Sequence, residues 1–235
     1  MLQYEKGSLH PLTLVTNELV EIFTKLGFEV ATGPELESEE YNFDRLNFAK
    51  DHPARDMQDT FFIKDRAGMV LRTHTSNVQS RYMEAITKAG MLPPFAIIVP
   101  GKVFRNEATD ATHEMGFHQC EGLLVGKDIN VAHMKGVLLE FFKEFFGPDA
   151  EIRLRPSYFP FVEPGFEVDV KHKGKWIEIL GAGLVHPNVL KSAGIDSDVY
   201  SGFAFGMGID RVTIIKYGIP DVRLFYQGDL RLNQF

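Results

Sequence analysis

Residues 103–122 read VFRNEATDATHEMGFHQCEG, and this stretch predicts two short strands joined by a polar loop. Val103, Phe104 and Phe117 bound a run of Asn, Asp, Thr and His that is too polar for a core helix. The charged residues fall where the strands meet the loop. Arg105 offers a planar fork of donors suited to a phosphate, and Glu107 can accept from an amino group. Gln119 and Glu121 share one face of the returning strand, because side chains alternate along a strand. Such a face suits a small zwitterion. Arg and Glu at strand ends are more often solvated rims, so the rest of the chain has to decide.

Downstream, Leu123–Val125 completes the strand, and Asp128 or Asn130 can cap a helix carrying Met134, Val137, Leu138, Phe141, Phe142 and Phe145 on one broad core face. Gly147-Pro148 stops it. Upstream, the stretch from Pro93 to Arg105 is apolar and strand-like, and a helix-like segment from Val78 to Ala89 precedes it. Leu71-Arg72-Thr73-His74-Thr75-Ser76 leads into that helix, with Thr75 or Ser76 as candidate caps. Tyr41–Phe62 mixes aromatics, charges and Pro53, as expected of an irregular loop feeding a short strand. At the start, Pro11 opens a helix whose stripe of Leu12, Val15, Leu19, Ile22, Phe23 and Leu26 is core or subunit interface, with Gly27 at its end.

Toward the C-terminus, Ile152 and Leu154, and then Phe166, Val168 and Val170, alternate with polar residues as strands do. Trp176–Leu180 is another strand, after which Gly181 to Gly183 lets the backbone pass close to a ligand. Gly202, Gly206 and Gly208 precede a helix starting near Ile209. A dinucleotide loop is discounted, since Arg211 replaces the third glycine and no parallel β-α-β pattern surrounds it. His113 and His118 form no HExxH pair, which argues against a catalytic metal site.

Composition bounds the function classes. A chain of 235 residues, 44% hydrophobic and 24% charged, suits one soluble domain spanning 1–235. A net charge of -7 argues against binding nucleic acid by global attraction, so any such partner is held locally or through another protein. The single cysteine, Cys120, excludes an internal disulfide and fits a reducing compartment. No apolar run suits a bilayer and no signal peptide opens the chain, so a cytoplasmic, membrane-free protein is expected.

The order FRNE followed by FHQCEG closely resembles motif 2 of class II aminoacyl-tRNA synthetases, in the form found in the alpha-subunit family of bacterial phenylalanyl-tRNA synthetases. GSLHPLT, GFEVATGPELE, HPARDMQDTF, LRTHTSNVQ, RPSYFPFVEPGFEVDV, LGAGLVHPNV and GFAFGMGIDR agree in the same order, across nearly the whole chain. The resemblance implies an α/β fold, an antiparallel sheet of about six strands flanked by helices. It makes the first helix part of motif 1 at a subunit interface, with Gly33-Pro34 as its turn. Residues 41–62 become an ordered loop beside the site, where Gln58 stands in place of an aromatic found in some relatives.

The same resemblance implies a reaction. Phenylalanine attacks the α-phosphate of ATP, and the acyl group of the adenylate then passes to the 3′-terminal ribose of tRNA(Phe). Arg105 is the expected catalytic residue, on the α-phosphate, with Mg2+ managing the other phosphates through ligands the sequence leaves open. Glu107, His113, Phe117 and Arg211 are expected at ATP, with Phe117 and Arg211 on either side of the adenine. His74, Ser76, Gln119 and Glu121 are expected around the amino acid. Phe159, Phe161 and Val162 are expected around its ring, and Ala204 and Gly206 leave room for it.

A beta subunit in an (αβ)2 heterotetramer is the implied partner, and it would carry the editing of tyrosine. Relatives also begin with a helical arm that contacts tRNA, whereas this sequence reaches GSLHPLT almost at once from Met1 and ends at Phe235 without the anticodon-binding domain of the single-chain organellar form. A trimmed, designed or minimal core is therefore expected, with a homodimer as the alternative assembly. A catalytically silent paralogue that binds phenylalanine or a partner is the competing reading, and joint retention of Arg105, Arg211 and Glu121 argues against it.

Overall fold

The structure is a computed structural model and describes residues 7–55, 59–229 and 232; Gln58, and the terminal residues Met1 and Phe235, lie outside them. In chain order, α1 (Pro11–Lys25) leads to β1 (Glu29–Val30), β2 (Leu36–Ser38), α2 (Glu39–Asn42), β3 (Met69–Leu71) and α3 (Ser76–Lys88). Next come β4 (Phe95–Phe104), β5 (Gly116–Gly126) and α4 (Val131–Phe146). The chain continues through β6 (Glu151–Phe159), β7 (Val162–His172), β8 (Lys175–Val185), α5 (Pro187–Ser192), β9 (Ser201–Gly208) and α6 (Ile209–Tyr217).

The described residues form a seven-stranded sheet in the order β1-β4-β5-β9-β8-β7-β6, with β2 and β3 as a separate pair. This is the expected sheet flanked by helices, with one strand beyond the six or so expected. The additional strand, β1, is two residues long and runs parallel to β4 at the sheet edge. All other pairings in the sheet are antiparallel. β9 lies antiparallel between β5 and β8, so the glycines before α6 belong to no Rossmann unit.

Helix starts follow from local chemistry. His10 caps α1 by accepting from the Leu12 amide at Nδ1, 3.3 Å away, with Pro11 in the first turn. His186 repeats the device at α5, accepting from the Asn188 amide at 3.1 Å. At α4 the cap is Asn130, which accepts from Ala132 and His133 while the His133 ring accepts from the Asn130 amide. Gly27, at φ 90, supplies the left-handed residue after α1.

Alternation assigns each sheet face. Phe203, Phe205 and Met207 of β9 point toward α1, α4 and α6, where Phe23 stacks on Phe141 at 4.8 Å and on Phe205 at 5.0 Å. Burying side chains of this size contributes about 1.5–3 kcal/mol each. Val15, Leu19 and Phe23 are fully buried in this core, so the stripe expected at a subunit interface is instead spent within the chain. Leu26 departs from the stripe: it is exposed as the α1 C-cap. On the opposite face, Ala204 and Gly206 of β9 and Gly181 and Gly183 of β8 carry little or no side chain. That hollow is where the site forms.

Candidate active site

A cavity of about 380 Å³ opens on this face. Its polar end is built from the strand pair β4–β5 and the start of α3. Glu121 is almost fully buried; its Oε1 accepts from the Thr75 amide at 3.1 Å and its Oε2 from Gln79 Nε2 at 2.8 Å. Burial pushes its carboxyl above the usual range, while hydrogen bonds from Ser76 and Thr75 pull the other way. Gln119, on the same strand face, lines the cavity with a buried Oε1 that has no partner among the described residues. An unpaired buried acceptor beside a carboxylate is a seat for a donor.

His74 and Ser76 also line the cavity. Both His74 ring nitrogens are buried and without a partner among the described residues. Burial, with Arg105 and Arg72 nearby, lowers its pKa to about 3, so the ring is neutral. The helix-cap expectation for Thr75 or Ser76 is corrected: Thr75 occupies the cap position without a side-chain cap bond, and its amide is satisfied by Glu121 instead.

Arg105 and Glu107 stand where the β4 strand leaves the sheet, and both line the cavity. Arg105 Nε donates to the Thr73 carbonyl at 3.3 Å, its guanidinium lies 5.1 Å from the Phe117 ring centre, and Glu107 is 3.9 Å from its Nη1. Behind it, buried Arg72 donates from Nε to the Lys102 carbonyl at 2.7 Å and from Nη1 to the Gly33 carbonyl at 3.1 Å. A Cβ at Gly101 would lie 2.3 Å from that guanidinium, so the glycine leaves space for the strut.

The apolar end is walled by Phe159, Phe161, Val162 and Ala204, joined by Leu46, Phe48, Val185 and Val189. Phe159 and Phe161 stack with centres 6.0 Å apart. Gly181 of β8 lines the cavity, and the β8 glycines also leave space for side chains. A Cβ at Gly181 would meet the Phe159 ring at 2.9 Å, and one at Gly183 would meet Val162 at 2.7 Å, so both make room for pocket walls. Gly206 likewise accommodates Glu121, whose Cγ would lie 3.0 Å from an added Cβ.

Three expected ATP residues are not brought to the cavity. His113 sits in the exposed loop between β4 and β5, its Nδ1 3.0 Å from Asp110. Phe117 faces the Arg105 guanidinium. Arg211, exposed on the first turn of α6, donates from Nε to the Glu178 carbonyl at 2.9 Å.

Sequence reasoning missed Gln79, Leu46, Phe48, Val185 and Val189. Gln79 had a signal, since it lies one turn beyond Ser76 on the same helix face. Leu46 and Phe48 had none, because they reach the cavity from an irregular segment.

A family model described as tRNA synthetases class II core domain (F) matches residues 1–235, and the chain belongs to that family. The solved pyrrolysyl-tRNA synthetase from Desulfitobacterium hafniense superposes with a TM-score of 0.73 over 93% of this chain and 74% of its own, at 16% identity, which establishes the fold alone. Within the family, the chain is 53% identical to the phenylalanine–tRNA ligase alpha subunit of Bacteroides thetaiotaomicron, covering 97% of this chain and 69% of that one. It is equally similar to the alpha subunit of Vibrio vulnificus, covering 98% and 69%.

Proposed function

We propose that the chain activates L-phenylalanine with ATP to phenylalanyl-adenylate and passes the acyl group to the 3′-terminal ribose of tRNA(Phe), as a phenylalanine–tRNA ligase. The observation that carries this reading is one cavity with two ends: a buried Glu121 and an unpaired Gln119 acceptor at one, stacked Phe159 and Phe161 at the other. An ammonium group fits the first and an aromatic ring the second. A binder alone would not need Arg105 in the same cavity, which counts against a silent paralogue.

A carboxylate is already a nucleophile at neutral pH, so the first step needs positioning and neutralisation of charge rather than a protein base. Arg105 would bind the α-phosphate and strengthen its hold as negative charge builds. Glu107 would read the adenine amine. His113 from the loop between β4 and β5, Phe117 from the start of β5 and Arg211 from the first turn of α6 would hold the rest of ATP. Mg2+ keeps its own waters and takes few protein ligands. Among the described residues no three His, Cys, Asp or Glu side chains converge on a metal position, so the steps above rest on the chain's own groups.

The chain would act as one catalytic domain with a beta-subunit partner, in an (αβ)2 assembly, in the cytoplasm. Among the described residues no helix is long and apolar enough to cross a membrane. Amino-acid-dependent ATP–pyrophosphate exchange tests the reading. Exchange stimulated by phenylalanine is expected from the chain, alone or with a beta subunit; silence in both would overturn it.

A further inference from the structure

One wall of the cavity does not belong to the sheet. It comes from the short 3-10 turn Asp44–Leu46 and the residues after it. Leu46 is buried in the same cluster as Val162, Val185 and Val189. Phe48 lies 5.9 Å from Phe161 and 6.0 Å from His74, ring centre to ring centre. Between Leu46 and Phe48 sits Asn47, in the left-handed region at φ 62, which Asn tolerates better than most side chains.

Asn47 points at two other walls. Its Nδ2 donates to the Pro160 carbonyl at 2.8 Å, in the middle of Phe159-Pro160-Phe161. Its Oδ1 accepts from Asn188 Nδ2 at 3.0 Å, on α5 next to Val189. One amide therefore ties together three segments that are far apart in sequence, each supplying apolar pocket wall. Arg45 and Ser192 close the same seam: Arg45 Nη1 donates to the Ser192 carbonyl and Ser192 Oγ to the Arg45 carbonyl, each at 3.2 Å.

We propose that Asn47 is a specificity-setting positioning residue, whose bonds to Pro160 and Asn188 hold the Leu46–Phe48 wall against the Phe159–Phe161 wall and so fix the width of the slot that receives the aromatic ring. This rests on the reading that the chain activates phenylalanine. The physical need is clear, because an apolar pocket rejects a merely added hydroxyl by only about a hundredfold. That margin survives only if the walls do not part.

Asn47→Gly keeps the left-handed backbone available and deletes both bonds; Asn188→Ala deletes one. Exchange kinetics with phenylalanine and tyrosine, with ATP varied separately, read the effect. For Asn47→Gly we expect a roughly tenfold rise in KM for phenylalanine, an ATP KM within about twofold, and a tyrosine-to-phenylalanine ratio of kcat/KM raised about fivefold. Asn188→Ala should move the same quantities less, and it decides the matter if the glycine variant does not fold. Phenylalanine KM and the amino-acid ratio staying at wild-type values would overturn the proposal while phenylalanine activation stands. So would a rise of both KM values together with the ratio unchanged, which is what general loosening predicts. A wild-type chain with no exchange, alone or with a beta subunit, removes the functional reading and the proposal with it.

Discussion

The ladder between β4 and β5 runs from Phe95 opposite Val125 to Phe104 opposite Gly116 without a break. The ladders that join β6, β7 and β8 shift register at Ser157/Phe159, at Val162/Gly165 and again at Val168/Asp169. Both feed the same cavity, yet they feed it differently. The unbroken pair carries Gln119 and Glu121 on one face and Arg105 just beyond its end. The broken set carries Phe159 and Val162, with Phe161 in the turn between strands. A regular ladder holds charged groups at a fixed two-residue spacing, whereas a bulge bends its strand and re-aims side chains. Charge is placed by regularity in this molecule, and shape by its interruption.

The largest expected effect breaks the regular arm alone. Arg105→Ala should lower kcat/KM for phenylalanine-dependent exchange by about a thousandfold, the scale of losing a charge-stabilising donor, with little change in melting temperature. Full activity in that variant would mean the phosphate charge is met elsewhere.

Breaking the irregular arm should instead cost stability. In Gly183→Ala the new Cβ would lie 2.5 Å from the Pro164 carbonyl oxygen and 2.7 Å from Val162 Cβ. Overpacking of this kind costs about 1–3 kcal/mol, a fall of several degrees in Tm that a thermal melt would detect. An unshifted Tm would show that the register shift can relax around a methyl group.

A pH titration sharpens the contrast. Because burial raises Glu121, its carboxyl is partly protonated at pH values where an exposed glutamate is charged. An incoming ammonium favours the carboxylate, so a proton leaves on binding. Phenylalanine affinity should therefore weaken as pH falls through the raised Glu121 pKa, approaching about tenfold per pH unit below it. Glu121→Gln should bind weakly and lose that slope in calorimetry. A slope retained in the variant would assign the titration to another group, and not to His74, whose pKa of about 3 keeps it neutral.

The smallest effect concerns shape. Ala204→Gly should enlarge the apolar end and raise kcat/KM for para-substituted phenylalanines by about tenfold. Continued exclusion of those analogues would count against Ala204 as a pocket wall.

The regular arm was legible because its information is local. Residues 103–122 show where the strands stop, which residues share a face and where the donor fork sits, and the structure keeps all three. The stripe of α1 was legible as apolar but did not decide between core and subunit interface, since Leu12, Val15 and Phe23 would look the same facing a partner subunit. Arg211 and Phe117 were legible as chemistry, whereas their contacts in the fold, the Glu178 carbonyl and Arg105, are announced by no residue pattern.

What the sequence determined by itself is the run of longer helices and strands and the chemical character of each face, because periodicity, capping by Asn130 and turn residues act over a few positions. Only the tertiary structure decided which faces meet. Gln79 reaches Glu121 across 42 positions, and Asn188 reaches Asn47 across 141. Those contacts depend on how strands cross and where a ladder shifts register. Such long-range packing is selected by the whole core at once, and so it leaves no mark in any single stretch of chain.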